Sequence, residues 1–410
     1  MAAQREEKDQ NSADVQPEVH PAPQLVPSVP RQVNLFTGKP EIPSIMVEAF
    51  PPGEAERVLE DGITVVSSPE GMAVHISGWG AHIGKKSERL VLRKKGGSGV
   101  LWQVPLDRIH EVHLTASGVS ISSDALAELA DRGVRVSILA GNGRPVAQIA
   151  SPNLTASVAI RRAQLEAYTN ELGLRLAVAL AGGKLLNQAR LLKYFAKNLH
   201  FSQPEQYAQL SKQIAAILAL RSNILHGNWP DLEQARASIM GLEGTAARRY
   251  WDAVALLLEK HADFPGRENR GASDFVNSLL NYGYGILYSQ VWSAVLNAGL
   301  EPFGGFLHTD RPGKPSLVLD LTEEFRAPIV DRTVLAALRL RQLQPNGKTG
   351  PLDPEIRSIL VDQLFRRLES KERFESGDYQ VRSIIQMQAR RVASFLTRRA
   401  ARYRSFRFKW

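Results

Sequence analysis

The 410-residue sequence contains no cysteine. That excludes disulfide frameworks, zinc ribbons, thiol nucleophiles and iron–sulfur ligation, and it suits a reducing compartment. The sequence also lacks the ~18 or more uninterrupted apolar residues a membrane helix needs, and its first residues carry no apolar signal core. A cytoplasmic protein with no membrane partner is therefore expected. Acidic residues are missing from one long stretch. Between Tyr379 and Trp410 there is no Asp or Glu, while Arg382, Arg390, Arg391, Arg398, Arg399, Arg402, Arg404, Arg407 and Lys409 supply positive charge. These nine cations equal the net charge of the whole chain, +9. Val381, Ile384, Ile385, Val392, Phe395 and Leu396 recur there at helical spacing, so one face packs and the basic face stays wet. That face is either a solubilising surface or a grip on phosphates.

What is present divides the chain in three. Residues 1–50 interleave Pro17, Pro21, Pro23, Pro27, Pro30, Pro40 and Pro43 with Gln, Val and Ser, and sustain no apolar period. Such a segment buries too little surface to offset its ordering entropy, so a disordered leader is predicted. Over 51–150 the apolar runs are short and β-branched: 63–66, 73–76, 89–93, 100–104, 109–114, 134–139 and 146–149. Gly96-Gly97 and Gly141-Asn142-Gly143 separate some of them, and one helix is predicted from Ser122 to Asp131, with Ser123 or Asp124 near its cap. After Pro152 the texture turns to long periodic segments, with helices predicted at 154–172, 174–199, 204–225, 243–260, 274–298, 333–343, 354–371 and 379–400. Residues 304–321 interrupt them with glycine, proline and an extended run at 316–321. The fold class is α+β: a small N-terminal β-rich domain followed by a larger all-α domain over 151–410. An irregular stretch between rigid helices is a natural place for a site.

Three features there could carry chemistry. Glu243 shares a helical face with Ala247, Tyr250 and Val254, which points it inward, where a carboxylate needs a cation or several donors. Alternatively it is a first-turn glutamate favoured by the helix dipole. His308 follows an apolar run and is either a ligand or a satisfied structural residue. Asp320 and Glu323 fit a capping box, with Asp320 as cap, yet Glu323 could still point into a site. Two carboxylates and an imidazole suit Mg²⁺ or Mn²⁺ with positions left open for water and phosphate.

Taken in order, these segments resemble the CRISPR-associated protein one family. Lys184-Leu-Leu-Asn187-Gln188, Leu242-Glu243-Gly-Thr-Ala-Ala-Arg248-Arg-Tyr250, the helix from Asp274 to Gly285 and the block from Gly305 to Arg326 carry the likeness. Glu88-Arg-Leu-Val91, Gly133-Val-Arg-Val136 and Ser151-Pro152-Asn153 add to it, over about 55 to the C-terminus. Pro328 stands one residue later than in the family pattern, away from the ligand positions.

The resemblance implies that Glu243, His308 and Glu323 coordinate a catalytic Mg²⁺ or Mn²⁺, with Asp320 a further acidic position beside it. It implies insertion of new spacer DNA into a CRISPR array by metal-dependent transesterification, a 3′-hydroxyl of a prespacer duplex attacking a phosphodiester at the leader–repeat junction. The same site can act as an endonuclease if water replaces the hydroxyl. A homodimer through the β-rich domains is implied, working with CRISPR-associated protein two. Because spacers vary in sequence, the grip on DNA should be through backbone charge, for which Lys184, Arg190, Arg248, Arg326, Arg398, Arg399 and Arg402 are candidates. The alternatives are a related transposon integrase or stand-alone branched-DNA nuclease, and a non-catalytic DNA-binding scaffold. Glu324, one helical step (~100°) from Glu323, is expected to matter much less.

Overall fold

The computed structural model describes residues 58–59, 62–67, 73–97, 99–115, 117–149, 158–268, 274–345 and 352–409. The leader predicted over 1–50, the Ser151-Pro152-Asn153 junction and Trp410 lie outside them.

The β-rich part holds β1 (Val58–Leu59), β2 (Ile63–Ser67), β3 (Ala73–Ser77), β4 (Ala81–Lys86), β5 (Arg89–Lys94), β6 (Val100–Pro105), β7 (Glu111–Thr115), β8 (Val119–Ile121), helix α1 (Ser123–Asp131), β9 (Arg135–Leu139) and β10 (Pro145–Ile149). Six strands form one sheet in the order β1-β2-β3-β7-β9-β10, with β7 parallel to both its neighbours. The other four form a second sheet, β6-β5-β4-β8. The cap of α1 is Ser122, whose Oγ accepts from Ala125 N at 3.2 Å, one residue before the position expected. Strand β7 is buried throughout, as a parallel strand covered on both faces must be;. Val74, Ile76, Val112, Leu114 and Val136 of the larger sheet enter a small apolar core with the second sheet. Alternate residues face the helices. His75 Nε2 is 2.7 Å from Tyr282 Oη, and the ring of His113 lies 5.8 Å from that of Phe365.

The helical part runs through α2 (Val158–Ala167), α3 (Glu171–Ala196), α4 (Leu199–Ser202), α5 (Pro204–His226), α6 (Leu232–Leu258), α7 (Phe275–Asn297), α8 (Ser316–Phe325), a π-helical segment Arg326–Asp331, α9 (Arg332–Arg339), α10 (Pro354–Glu369), the hairpin β11 (Lys371–Phe374) and β12 (Gly377–Gln380), and α11 (Val381–Leu396). Helix α7 lies against the larger sheet. Gly143 and Gly285 permit the contact, since a Cβ on Gly285 would sit 1.6 Å from Gly143 O. Gln148 Nε2 donates to Ser293 Oγ at 2.8 Å across the same boundary.

Three predicted elements are corrected. Helix α6 starts at Leu232, capped by Asp231, not at 243. Glu243 is therefore mid-helix, and the helix-dipole account of it does not apply. The run at 316–321 is not extended but is the start of α8, with Pro315 at its cap position. Asp320 lies inside that helix and caps nothing on it. The helix predicted at 379–400 begins at Val381, because Tyr379 and Gln380 belong to β12.

Candidate active site

The site is built from α3, α6, α8 and the loop that enters α8. Glu243 on α6 and Glu323 on α8, 80 positions apart in sequence, converge on the ammonium of Lys184 on α3. Lys184 Nζ donates to Glu243 Oε1 and lies 2.8 Å from Glu323 Oε2. Arg326 Nη1 donates to the other oxygen, Glu323 Oε1, at 2.8 Å. Burial pushes the Glu323 carboxyl up, but Arg326 and Lys184 outweigh it and hold its pKa down at about 2. Burial likewise works to lower the pKa of Lys184, and Glu323 and Glu243 more than offset it.

His308 stands in the loop before α8. The backbone N–H groups of Phe306 and Leu307 donate to Asp320 Oδ2 at 2.7 and 2.9 Å, and that of His308 to Oδ1 at 2.9 Å. Successive amides wrapped on one anion form a nest, and here the anion is a fully buried side chain;. The same Oδ1 is 2.7 Å from His308 Nδ1. A carboxylate at Nδ1 selects the tautomer whose Nε2 carries the free lone pair, as second-shell carboxylates do for ligating histidines. The loop can enter this closely because residue 305 is glycine: a Cβ there would meet Ser316 Cβ at 2.4 Å.

Several supporting residues carried no signal in the sequence. Arg236, two turns before Glu243 on α6, is buried and donates from Nε to Phe306 O at 3.1 Å, tying the histidine loop to the glutamate helix. Asp331 is buried and accepts from Tyr250 Oη at 2.6 Å and from Tyr284 Oη. The guanidinium of Arg326 lies 4.2 Å from the ring centre of that same Tyr284. The π-helical turn from Arg326 to Asp331 thus supplies both the cation that holds Glu323 and the anion that holds the tyrosine beneath it. No spacing rule brings Asp331 to Tyr250; the packing of the π-helical segment and α9 beside α6 does.

Of the seven basic candidates, Lys184 and Arg326 are occupied by site carboxylates. Arg190 donates from Nη1 to Phe408 O at 2.6 Å. Arg248 is exposed near Glu243, with Nη2 3.4 Å from Thr245 Oγ1. Arg398 faces Glu171 at 3.6 Å, and Arg399 and Arg402 are exposed.

Glu324, one position on from Glu323, faces the C-terminal segment. It is fully buried and accepts from Tyr403 Oη at 2.6 Å, Gln388 Nε2 at 2.9 Å and Phe406 N at 3.0 Å. Asn187 holds the same C-terminal segment, donating to Phe406 O at 3.0 Å and accepting from Phe408 N at 2.9 Å.

Two carboxylates and one imidazole nitrogen are a donor set for a hard or borderline divalent cation, and Glu243 and Glu323 already share one cation here, an ammonium;. Among the described residues no three His, Asp or Glu side chains are gathered closely enough to hold a metal ion. No described helix is long and apolar enough to cross a membrane.

Residues 74–366 match the family described as CRISPR associated protein Cas1. A CRISPR-associated endonuclease Cas1 of Archaeoglobus fulgidus is 34% identical over 350 residues, 83% of this chain and 100% of its own length. One of Pyrobaculum aerophilum is 38% identical over 292 residues, 71% of this chain and 89% of its own. Among solved structures, a casposase bound to its integration product superposes with a TM-score of 0.68 at 22% identity, covering 82% of this chain and 94% of that one. A Cas1 protein from Thermotoga maritima gives 0.63 at 18% identity, covering 82% and 100%.

Proposed function

We propose, starting from the fact that this chain belongs to the Cas1 family of CRISPR-associated proteins, that it is a DNA integrase and endonuclease which joins new spacer DNA into a CRISPR array. The observation that carries the reading is the meeting of Glu243 and Glu323 at one buried cation, with His308 presented beside them by Asp320. Glu243, Glu323 and His308 Nε2 would hold Mg²⁺ or Mn²⁺. When bound, that ion supplies Lewis acidity at the phosphoryl oxygens and favours the alkoxide form of an attacking hydroxyl.

The rest is positioning by the protein. A 3′-hydroxyl of the prespacer attacks a phosphodiester in line; a new P–O bond forms, the old one breaks, and the displaced 3′-oxygen leaves with a proton. No protein nucleophile is required, so the missing cysteine takes nothing away. Arg326 fixes the orientation of Glu323, and Asp320 fixes the tautomer of His308. Holding two DNAs in register is the larger share of the task. The β-rich part over 51–150 pairs two copies of the chain, the helical part over 151–410 acts on DNA, and a Cas2 partner bridges such pairs. That a Cas6-RT-Cas1–Cas2 complex shares this fold is consistent with the last assignment.

The test is strand transfer by Glu243→Ala, His308→Ala and Glu323→Ala. Each should fall by more than the roughly 10–100-fold typical of outer-shell residues, with the melting temperature followed as a fold control. Asp320→Asn should fall within that range. Two of the three alanine variants retaining near-wild-type joining in Mn²⁺ would refute the site.

A further inference from the structure

The larger sheet turns one face to the helices, and its side chains there fall in rows set by the strand register. Ala73 of β3, Glu111 of β7 and Arg135 of β9 are register partners and form the first row; His75, His113 and Ser137 form the next. Neighbouring strands lie about 4.8 Å apart, so Glu111 and Arg135 leave the sheet side by side. Ala73 is too short to fill its end of the row. Between this row and α7, α10 and α11 lies a cavity of about 360 Å³, and none of Glu243, His308 or Glu323 lines it.

Glu111 is 4% exposed, and one of its oxygens, Oε2, accepts from Gln290 Nε2 of α7. The other, Oε1, has no hydrogen-bond donor among the described residues; His113 Nε2, at 3.5 Å, is not aligned to donate. Arg135 Nε has no acceptor among them either. Burial works to raise the pKa of Glu111, and His113 and Arg135 more than offset it, so the carboxylate stays charged. A buried carboxylate oxygen and a guanidinium N–H that both lack partners are groups a ligand can complete. The remaining walls narrow its chemistry. Glu369 and Arg382 add one charge of each sign, with Arg382 fixed through Nε and Nη2 to Gln380 Oε1 at 3.0 and 2.9 Å. Two carboxylates and two guanidiniums suit neither a polyanion nor a bare cation. Phe365, Leu368 and Ala294 supply an apolar side, and the volume lies at the lower end for small-molecule sites;.

We propose that this cavity binds a free α-amino acid with an apolar side chain, its ammonium on Glu111, its carboxylate on Arg135 and its side chain on Phe365 and Leu368. A molecule with both charges on one carbon spans two side chains that leave adjacent strands together. Bound there, it ties the first row of the sheet to α7, α10 and α11, and so stiffens the joint between the β-rich and helical parts. Such binding is independent of the reaction at Glu243, His308 and Glu323.

The experiment is calorimetric titration of the full chain with L-leucine and L-phenylalanine, and with the amine and the acid that each becomes on losing its carboxylate or its ammonium. At least one of the amino acids should bind, and its singly charged counterparts should bind roughly 10–100-fold more weakly. Glu111→Gln should erase the preference over the acid, and Arg135→Gln the preference over the amine. If those variants misfold, Ser383→Leu decides: this half-buried residue of α11 lines the cavity away from the charged pair, and a leucine there should fill it and abolish binding. Wild-type protein that binds neither amino acid overturns the site. So do counterparts that bind equally well, or a folded Ser383→Leu protein with unchanged affinity.

Discussion

At the scale of single residues, neighbours in sequence do opposite work. Glu323 faces the site and Glu324, one position on, is fully buried on the far side of α8, holding the C-terminal segment. Removing Glu324 would leave Tyr403 Oη and Phe406 N without their acceptor, while Gln388 Nε2 keeps Arg404 O at 3.1 Å. At about 1–3 kcal/mol for each buried unsatisfied group, Glu324→Ala should cost at least about 2 kcal/mol in urea unfolding. A variant as stable as the wild type would mean that the segment is not held as described. The sequence placed Glu324 a helical step from Glu323, which is right, but assigned it no burial, because nothing near 324 signals what covers it from 80 residues away. Lys184 offers the complementary test. Its ammonium lies between the Glu243 and Glu323 carboxylates, so Lys184→Met should lower the melting temperature at neutral pH. Adding Mn²⁺ should then raise that temperature more in the variant than in the wild type. An equal or smaller rise would show that Glu243 and Glu323 do not form a cation site.

At the scale of elements, what was legible followed composition. Helices α3, α5, α7 and α10 fall close to their predicted spans because long apolar periods mark them. Strand β4 was missed since Gly84, Lys85 and Lys86 break its alternation, although Lys85 pairs with Glu128 of α1. The start of α6 was placed at 243 instead of Leu232, although Gly241 and Gly244, both inside the helix, face open space and cost it no contact. The joint between sheet and helices was invisible, being made of polar residues that pair across long separations. Its most pH-sensitive member is His75. Burial, with smaller contributions from His113 and Arg357, lowers its pKa from 6.5 to about 3. Below 6.5 the unfolded chain takes up a proton that the folded chain refuses, so this stability is complete above that value and is lost as pH falls towards about 3. Between pH 7 and 5 the loss should be about 2 kcal/mol. Urea unfolding of His75→Gln should lack most of that drop. An identical pH profile would show that His75 is not buried neutral against Tyr282.

At the scale of the whole molecule, the C-terminal segment buries one set of side chains and leaves the other in water. Tyr403, Phe406 and Phe408 are buried while Arg402, Arg404, Arg407 and Lys409 alternate outward. The absence of acid there was plain in the sequence; the alternation was hidden behind a helical pattern that ends at Leu396. A chain stopped after 396 should lose most of its cooperative thermal transition, since Glu324, Asn187 and the core around Phe325 would lose their cover. An unchanged transition would show that the segment is an appendage. The same contacts set an order of events during synthesis. Residues 403–408 emerge from the ribosome after every helix they close, so α3 and α8 cannot finish packing while the chain is still being made. A prematurely terminated chain would carry Glu243, His308 and Glu323 in full and still lack the scaffold that aligns them. Under the proposed function, this withholds strand-joining chemistry from incomplete products.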